Sequence, residues 1–176
     1  MGRPGRLVLA VILLIVIASG ILVYLEVRGV IGGTNDQSVT NNSIPRGVMF
    51  HRIARGGLSG YAVSANLVIN NHADWVRVWD QAFCHTIIPC PATPDVDFSQ
   101  RTVLAVFEGQ KNSLGYDVKV TGATMEASKT TVGLTLTVPG RGCIVGQMIT
   151  YPYDIVDIPK ATGPISFTSK TQTSNC

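Results

Sequence analysis

The feature that most constrains this chain is the pattern of its second half, where short apolar or alternating runs are cut by glycine and proline. Residues 103–107 form a continuous apolar run, 116–120 alternate apolar and polar side chains, and 131–138 alternate again before Pro139, Gly140, Arg141 and Gly142 interrupt them. A period of two places successive side chains on opposite faces, so these runs specify a sheet with at least one buried face. Gly109 and the polar stretch 110–113 predict a hairpin joining the first two runs, with Gly122 closing the second. Residues 143–150 read as a further strand, 151–153 as a bend, and Ile155, Val156 and Ile158 as a last long strand ending at Pro159. Pro152 lacks an N–H for a ladder, which suits an edge or a bulge.

Upstream, 48–54 and 61–69 read as strands joined in a hairpin through the three glycines of 55–60. One helix is expected from Asn71, a good N-cap with Asp74 three residues on. Trp75, Trp79 and Phe83 recur at i, i+4 and i+8, giving an aromatic face that covers the sheet. Pro89, Pro91 and Pro94 then require an extended loop over 84–96. The expected fold class is α+β, a mostly antiparallel, sandwich-like β domain over 47–169 with one short helix. A tail at 170–176 carries Cys176.

Residues 7–25 are uncharged and almost entirely aliphatic. At about 1.5 Å per residue they reach roughly 28 Å as a helix, close to the hydrocarbon thickness of a bilayer. Ala18, Ser19 and Gly20 fall inside this run rather than after it, which favours an uncleaved signal anchor over a cleaved signal peptide. Arg3 and Arg6 in the 1–6 tip precede the run, so the positive-inside rule leaves the N-terminus cytoplasmic and the β domain outside a single-pass cell-membrane anchor. Residues 29–46, rich in Gly, Asn, Ser and Thr, read as a flexible linker of roughly 23 Å root-mean-square reach. Asn41 stands in an Asn-x-Ser glycosylation acceptor.

Setting aside Arg3, Arg6, Arg28 and Glu26 leaves 11 basic and 10 acidic residues, so no electrostatic footprint for nucleic acid remains. The four cysteines of an outward-facing domain are expected to pair. Three pairings are possible. The short interval favours Cys84 with Cys90, leaving Cys143 with Cys176, and loop closure would contribute about 2 kcal/mol for the first and 3–4 kcal/mol for the second. The rival use of Cys84, His85 and Cys90 as metal ligands lacks the paired spacing of zinc sites, so no metal is expected.

No catalytic constellation emerges, and no cofactor is expected. Ser59 between Gly57 and Gly60 has a strand after it where a nucleophile elbow needs a helix, and Tyr61 where the elbow needs glycine. His51, His72 and His85 are the candidate bases, and Asp95 with Asp97 and Asp154 with Asp157 the candidate carboxylate pairs. Structural and turn-capping roles suit all of them better. The chain is expected not to be an enzyme.

The order of these segments resembles the C-terminal domain of PrcB-type protease complex subunits. The resemblance is carried by Asp97-Phe-Ser99, the run at 103–107, Gly109, Gly115-Tyr116, the Pro-Gly-Arg-Gly-Cys at 139–143, the Tyr-Pro-Tyr-Asp-Ile-Val at 151–156, the Ile-Pro-Lys at 158–160 and Gly163-Pro164, with 53–60 and 75–79 upstream. It extends over 48–167, with Leu114 where the family usually has glycine and an insertion at 84–90. The resemblance implies a membrane-anchored, extracytoplasmic, non-enzymatic accessory protein that stabilises or modulates a secreted or surface protease. Asn112, Ser113, Leu114, Gly115 and Tyr116, on a loop between two strands, are the expected partner contact. The alternative is a structural envelope protein that self-associates through sheet edges.

Overall fold

A computed structural model describes residues 46–175. The expected basic tip at 1–6, the span at 7–25, nearly all of the 29–46 linker, Asn41 and Cys176 lie outside the described residues. Among the described residues no helix is long and apolar enough to cross a membrane.

Among the described residues eight strands and one α-helix follow in order: β1 Arg46–Val48, β2 His51–Gly56, β3 Ala65–Ile69, α1 His72–Trp79, β4 Arg101–Phe107, β5 Asp117–Met125, β6 Thr130–Pro139, β7 Tyr153–Pro159 and β8 Ile165–Ser174. They build two four-stranded sheets, ordered β1-β5-β6-β8 and β2-β7-β4-β3. Every pairing is antiparallel except β6 with β8, which is parallel.

Helix α1 starts where capping chemistry places it. The Asn71 Oδ1 accepts the Asp74 N–H at 2.8 Å, and Asn71 Nδ2 donates back to the Asp74 carboxylate at 2.7 Å. The helix runs on as a π-helical turn, Asp80–Cys84, which keeps Phe83 in line with Trp75 and Trp79. Their rings stack edge to face at 5.1 and 4.4 Å, and Phe83 meets Tyr153 at 5.1 Å. Both indole N–H groups donate to the proline-rich loop, Trp75 to the Pro94 carbonyl at 2.8 Å and Trp79 to the Pro91 carbonyl at 3.0 Å. The extended 84–96 loop is therefore fastened over the helix, and a Cys84–Cys90 disulfide closes its first turn.

Three layers result. Val103, Ala105 and Phe107 of β4 pack with Ile155 of β7 against the helix, while Leu104 and Val106 of β4 pack with Val156 and Ile158 against Val118, Val120, Val132 and Leu134 of the other sheet. Strand β4 is continuously apolar from Val103 to Phe107 because both of its faces are covered there. Strand β5 alternates because its outer face, with Lys119 and Thr121, is exposed. A fully buried side chain of this kind contributes about 1.5–3 kcal/mol.

Several expected connections are corrected. The strands before and after 55–60 form no hairpin: β2 pairs β7 and β3 pairs β4, at opposite edges of one sheet. Nor do β4 and β5, which lie in different sheets, so Gly109 and Gly115 turn a crossover. Both glycines hold positive φ, 76° and 92°. A Cβ on Gly109 would lie 2.8 Å from the Ser64 backbone nitrogen, so glycine is required there sterically as well. Gly122 marks an irregularity within β5, which continues to Met125. Residues 143–149 form a loop, since Gly146 breaks the run and Ile144, Met148 and Ile149 point outward. Pro152 precedes a central strand, β7, rather than an edge. The expected tail is largely strand: β8 reaches Ser174 and pairs along β6 for ten residues.

Candidate functional site

Three connections meet at one end of the sheets and are tied together by backbone hydrogen bonds. Gln110 N–H donates to Ala62 O at 3.0 Å, Tyr151 N–H to Gly57 O at 2.7 Å, and Leu114 N–H to Gly146 O at 3.0 Å. Lys111 and Thr150 form an isolated antiparallel bridge, and the Thr150 hydroxyl donates to the Ser113 carbonyl at 3.1 Å. These loops are held rigidly, yet they turn large apolar side chains outward: Leu58, Val63, Leu114, Ile144, Met148 and Ile149 are all exposed, Ile144 completely. These exposed apolar side chains on mutually bonded loops make this end of the sheets the candidate interaction surface.

The expected contact loop lies within this surface, with its residues in different settings. Asn112 and Leu114 are exposed. Ser113 is buried, its hydroxyl turned to the Leu114 carbonyl, so it positions the loop instead of projecting from it. Gly115 packs beneath Pro139 and Val145, and Tyr116 is half-buried with the Lys111 ammonium 5.5 Å from its ring centre. Ile144, Met148 and Ile149 were not among the expected contacts. The apolar content of 143–150 resembles that of a strand, and within the run only Gly146 hints otherwise.

The catalytic candidates are not brought together. Ser59 is buried and donates to the Tyr151 carbonyl at 3.2 Å, while His51 is exposed beside Asp157 at 3.2 Å. Tyr151 and Asp157 are six residues apart on an extended run, roughly 20 Å. His72 and His85 are exposed on α1 and after the π-helical turn. Asp97 caps a turn, accepting from the Ser99 hydroxyl and N–H at 2.6 and 2.9 Å, and the hydroxyl bond, with the N–H bond, holds its carboxyl below the usual range. Asp154 and Asp157, three apart on β7, serve different partners: Asp157 meets Arg101, and Asp154 is fully buried against Arg52. Asp80, Cys84 and Cys90 lie close enough to hold a metal ion, but the two sulfurs are bonded to each other and offer no thiolate. Cys143 is not a free thiol, and its expected pairing with Cys176 involves a residue outside those described.

The Asp154 carboxylate stitches the sheets together. It accepts Arg52 Nε at 2.7 Å, Arg52 Nη2 at 3.0 Å and the Val120 N–H at 2.7 Å, joining β2 and β7 to β5. The hydrogen bond to Asp154 raises the Arg52 pKa above its usual value. Arg55 repeats the pattern nearby, bonding the Val118 carbonyl at 3.2 Å and the Asp117 carboxylate.

The four strands β4 to β7 that form the middle of both sheets coincide with a known sequence family. Residues 102–159 match the PrcB C-terminal family model. The match covers about a third of the chain and omits β1 to β3, α1 and β8, although the resemblance read from sequence extends over 48–167. No curated protein and no solved structure matches the chain.

Proposed function

We propose that this protein is a non-enzymatic accessory subunit that binds an extracytoplasmic protease and stabilises or modulates it, held at the membrane by residues 7–25 with the β domain outside the cell. The observation that carries the binding role is the apolar surface on the three bonded loops, with Leu114, Ile144, Met148 and Ile149 around the 112–116 turn. The PrcB C-terminal match at 102–159 supports a protease complex as the setting. A rigid loop end with exposed apolar anchors can dock on a preformed partner without ordering costs on its own side.

The test is affinity purification of the tagged full-length chain from its native membranes. Wild type should recover a protease, and an Ile144→Asp/Ile149→Asp double variant should lose it while keeping its melting temperature, since both side chains are already in solvent. Equal recovery with the double variant would remove this surface from the interaction. A second reading, self-association as an envelope component, draws on the outer edges of β3 and β8, which pair with no further strand among the described residues. Concentration-dependent sedimentation of the purified chain would favour it.

A further inference from the structure

The chain leaves β6 through a tight turn, in which the Cys143 N–H donates to the Gly140 carbonyl at 2.9 Å, and then runs through 143–149 with no bend or helical turn. Both flanks of Ile144 are fixed. Cys143 is not a free thiol, and its Sγ lies 3.6 Å from the Ser174 carbonyl at the end of β8. On the other side Val145 Cγ1 fits against Gly115, where a Cβ would stand 3.3 Å from it, and the Gly146 carbonyl accepts the Leu114 N–H at 3.0 Å. Between these anchors the Ile144 side chain is completely exposed, and neither its N–H nor its carbonyl makes a hydrogen bond among the described residues.

An aliphatic side chain in water, with its own peptide groups unpaired, suits a partner that reads an extended segment by main-chain bonds and a side-chain pocket. An endopeptidase cleft takes its substrates in this way, with one side chain in the primary pocket that sets specificity. Rigidity separates an inhibitor from a substrate. A loop held at both flanks binds without an ordering cost and resists the local opening that cleavage needs. Arg141 is exposed as well, but it sits inside the turn closed by Gly140 and Cys143, so its backbone does not lie straight along a cleft. We propose that the 143–146 loop enters the active-site cleft of the protease partner as a substrate-like inhibitor, with Ile144 in a primary pocket that accepts aliphatic side chains. The proposal rests on the protease reading above and gives its modulation a direction, because the bound enzyme is held inactive. Leu114 and Gly115 then serve as the support of the inserted loop.

The experiment measures peptide hydrolysis by neutrophil elastase, whose primary pocket takes small aliphatic side chains, and by trypsin, whose pocket holds an aspartate for basic ones, with the full-length chain added to each. Wild type should inhibit elastase competitively and leave trypsin active. Ile144→Asp should raise the inhibition constant at least about thirtyfold, the loss expected of a central anchor. Ile144→Arg should transfer inhibition to trypsin, an outcome that no loss of folding can mimic. Elastase left active by wild type, trypsin inhibited no better by Ile144→Arg than by wild type, or rapid cutting of the Ile144–Val145 bond with loss of inhibition would each overturn the proposal. The protease recovered from native membranes distinguishes the cleft from the partnership. If it hydrolyses a peptide equally fast free and in the wild-type complex, the accessory reading stands and the cleft proposal falls. If elastase is inhibited but no protease is recovered, the loop chemistry stands and the protease partner falls.

Discussion

Asp154 and Glu108 occupy the inward faces of neighbouring strands, yet their surroundings differ in a way that divides the molecule in two. Asp154 lies opposite Val106 in the β4–β7 register and is surrounded by donors: two nitrogens of Arg52 and the Val120 N–H. Glu108, two residues beyond Val106, has Lys111 on one oxygen and nothing on the other. The difference follows from strand order. At Asp154 three strands from two sheets converge, so backbone and side-chain donors are at hand, whereas Glu108 lies one residue past the end of β4, where no strand of the other sheet offers its Oε2 a donor. A buried charge with its bonds made locks the fold, and one with a bond missing weakens it.

The largest expected effect comes from opening the stitched side. Asp154→Ala leaves the Arg52 guanidinium and the Val120 N–H without their acceptor, and should lower unfolding free energy by about 3–5 kcal/mol in denaturant titrations. A loss under about 1 kcal/mol would erase the contrast with Glu108. Next is Gly109→Ala, which should cost about 1–3 kcal/mol because the residue after Glu108 needs positive φ and sits against the Ser64 backbone. Its melting temperature should fall even though the substitution adds one methyl group.

Smaller and opposite in sign is Glu108→Met, which should raise stability by up to about 1 kcal/mol at pH 8 by removing an incompletely bonded buried charge. The pH dependence sharpens this. Burial pushes the Glu108 carboxyl up, with Lys111 pulling it back, so its folded-state pKa lies above the unfolded value of about 4.5. The folded chain then holds its proton more tightly. Wild type should therefore gain stability as pH falls through the folded pKa toward 4.5, and the advantage of Glu108→Met should shrink over that window. Asp97, whose pKa is lowered, acts in the opposite direction only below about 3.8 and leaves this window clear. A constant difference between the two proteins from pH 8 to 4.5 would contradict the assignment. The smallest effect should be that of Asn112→Ala on the exposed loop, within about 0.5 kcal/mol.

Local signals in the sequence were legible and long-range ones were not. The Asn71 cap, the aromatic face of Trp75, Trp79 and Phe83 and the alternation of β5 and β6 depend on residues within a few positions of each other, and the structure has them as read. Pairing is different: glycines at 56–60 and at 109–115 mark where the chain turns but not which sheet receives it. Strand β8 escaped notice because, after Phe167, its side chains are polar on both faces, as befits an edge with solvent around it. For the candidate interaction surface, Leu114 could be picked out from its loop, but the burial of Ser113 depends on Thr150, 37 residues away, whose hydroxyl donates to its carbonyl. Nothing near Glu108 in the sequence distinguishes an acid between two sheets from one on a surface.

The parallel pairing of β8 with β6 has a consequence for how the domain is assembled as it emerges from a ribosome. The sheet β2-β7-β4-β3 has all of its strands once Pro159 is out, whereas β6 waits for residues 165–174 before its second neighbour exists. A chain emerging N-terminus first can therefore complete one sheet while the other still presents a bare ladder of N–H and C=O groups. That interval is when an outside strand could occupy the place of β8, and the time between residues 159 and 174 sets how long the nascent domain stays open to such a substitute.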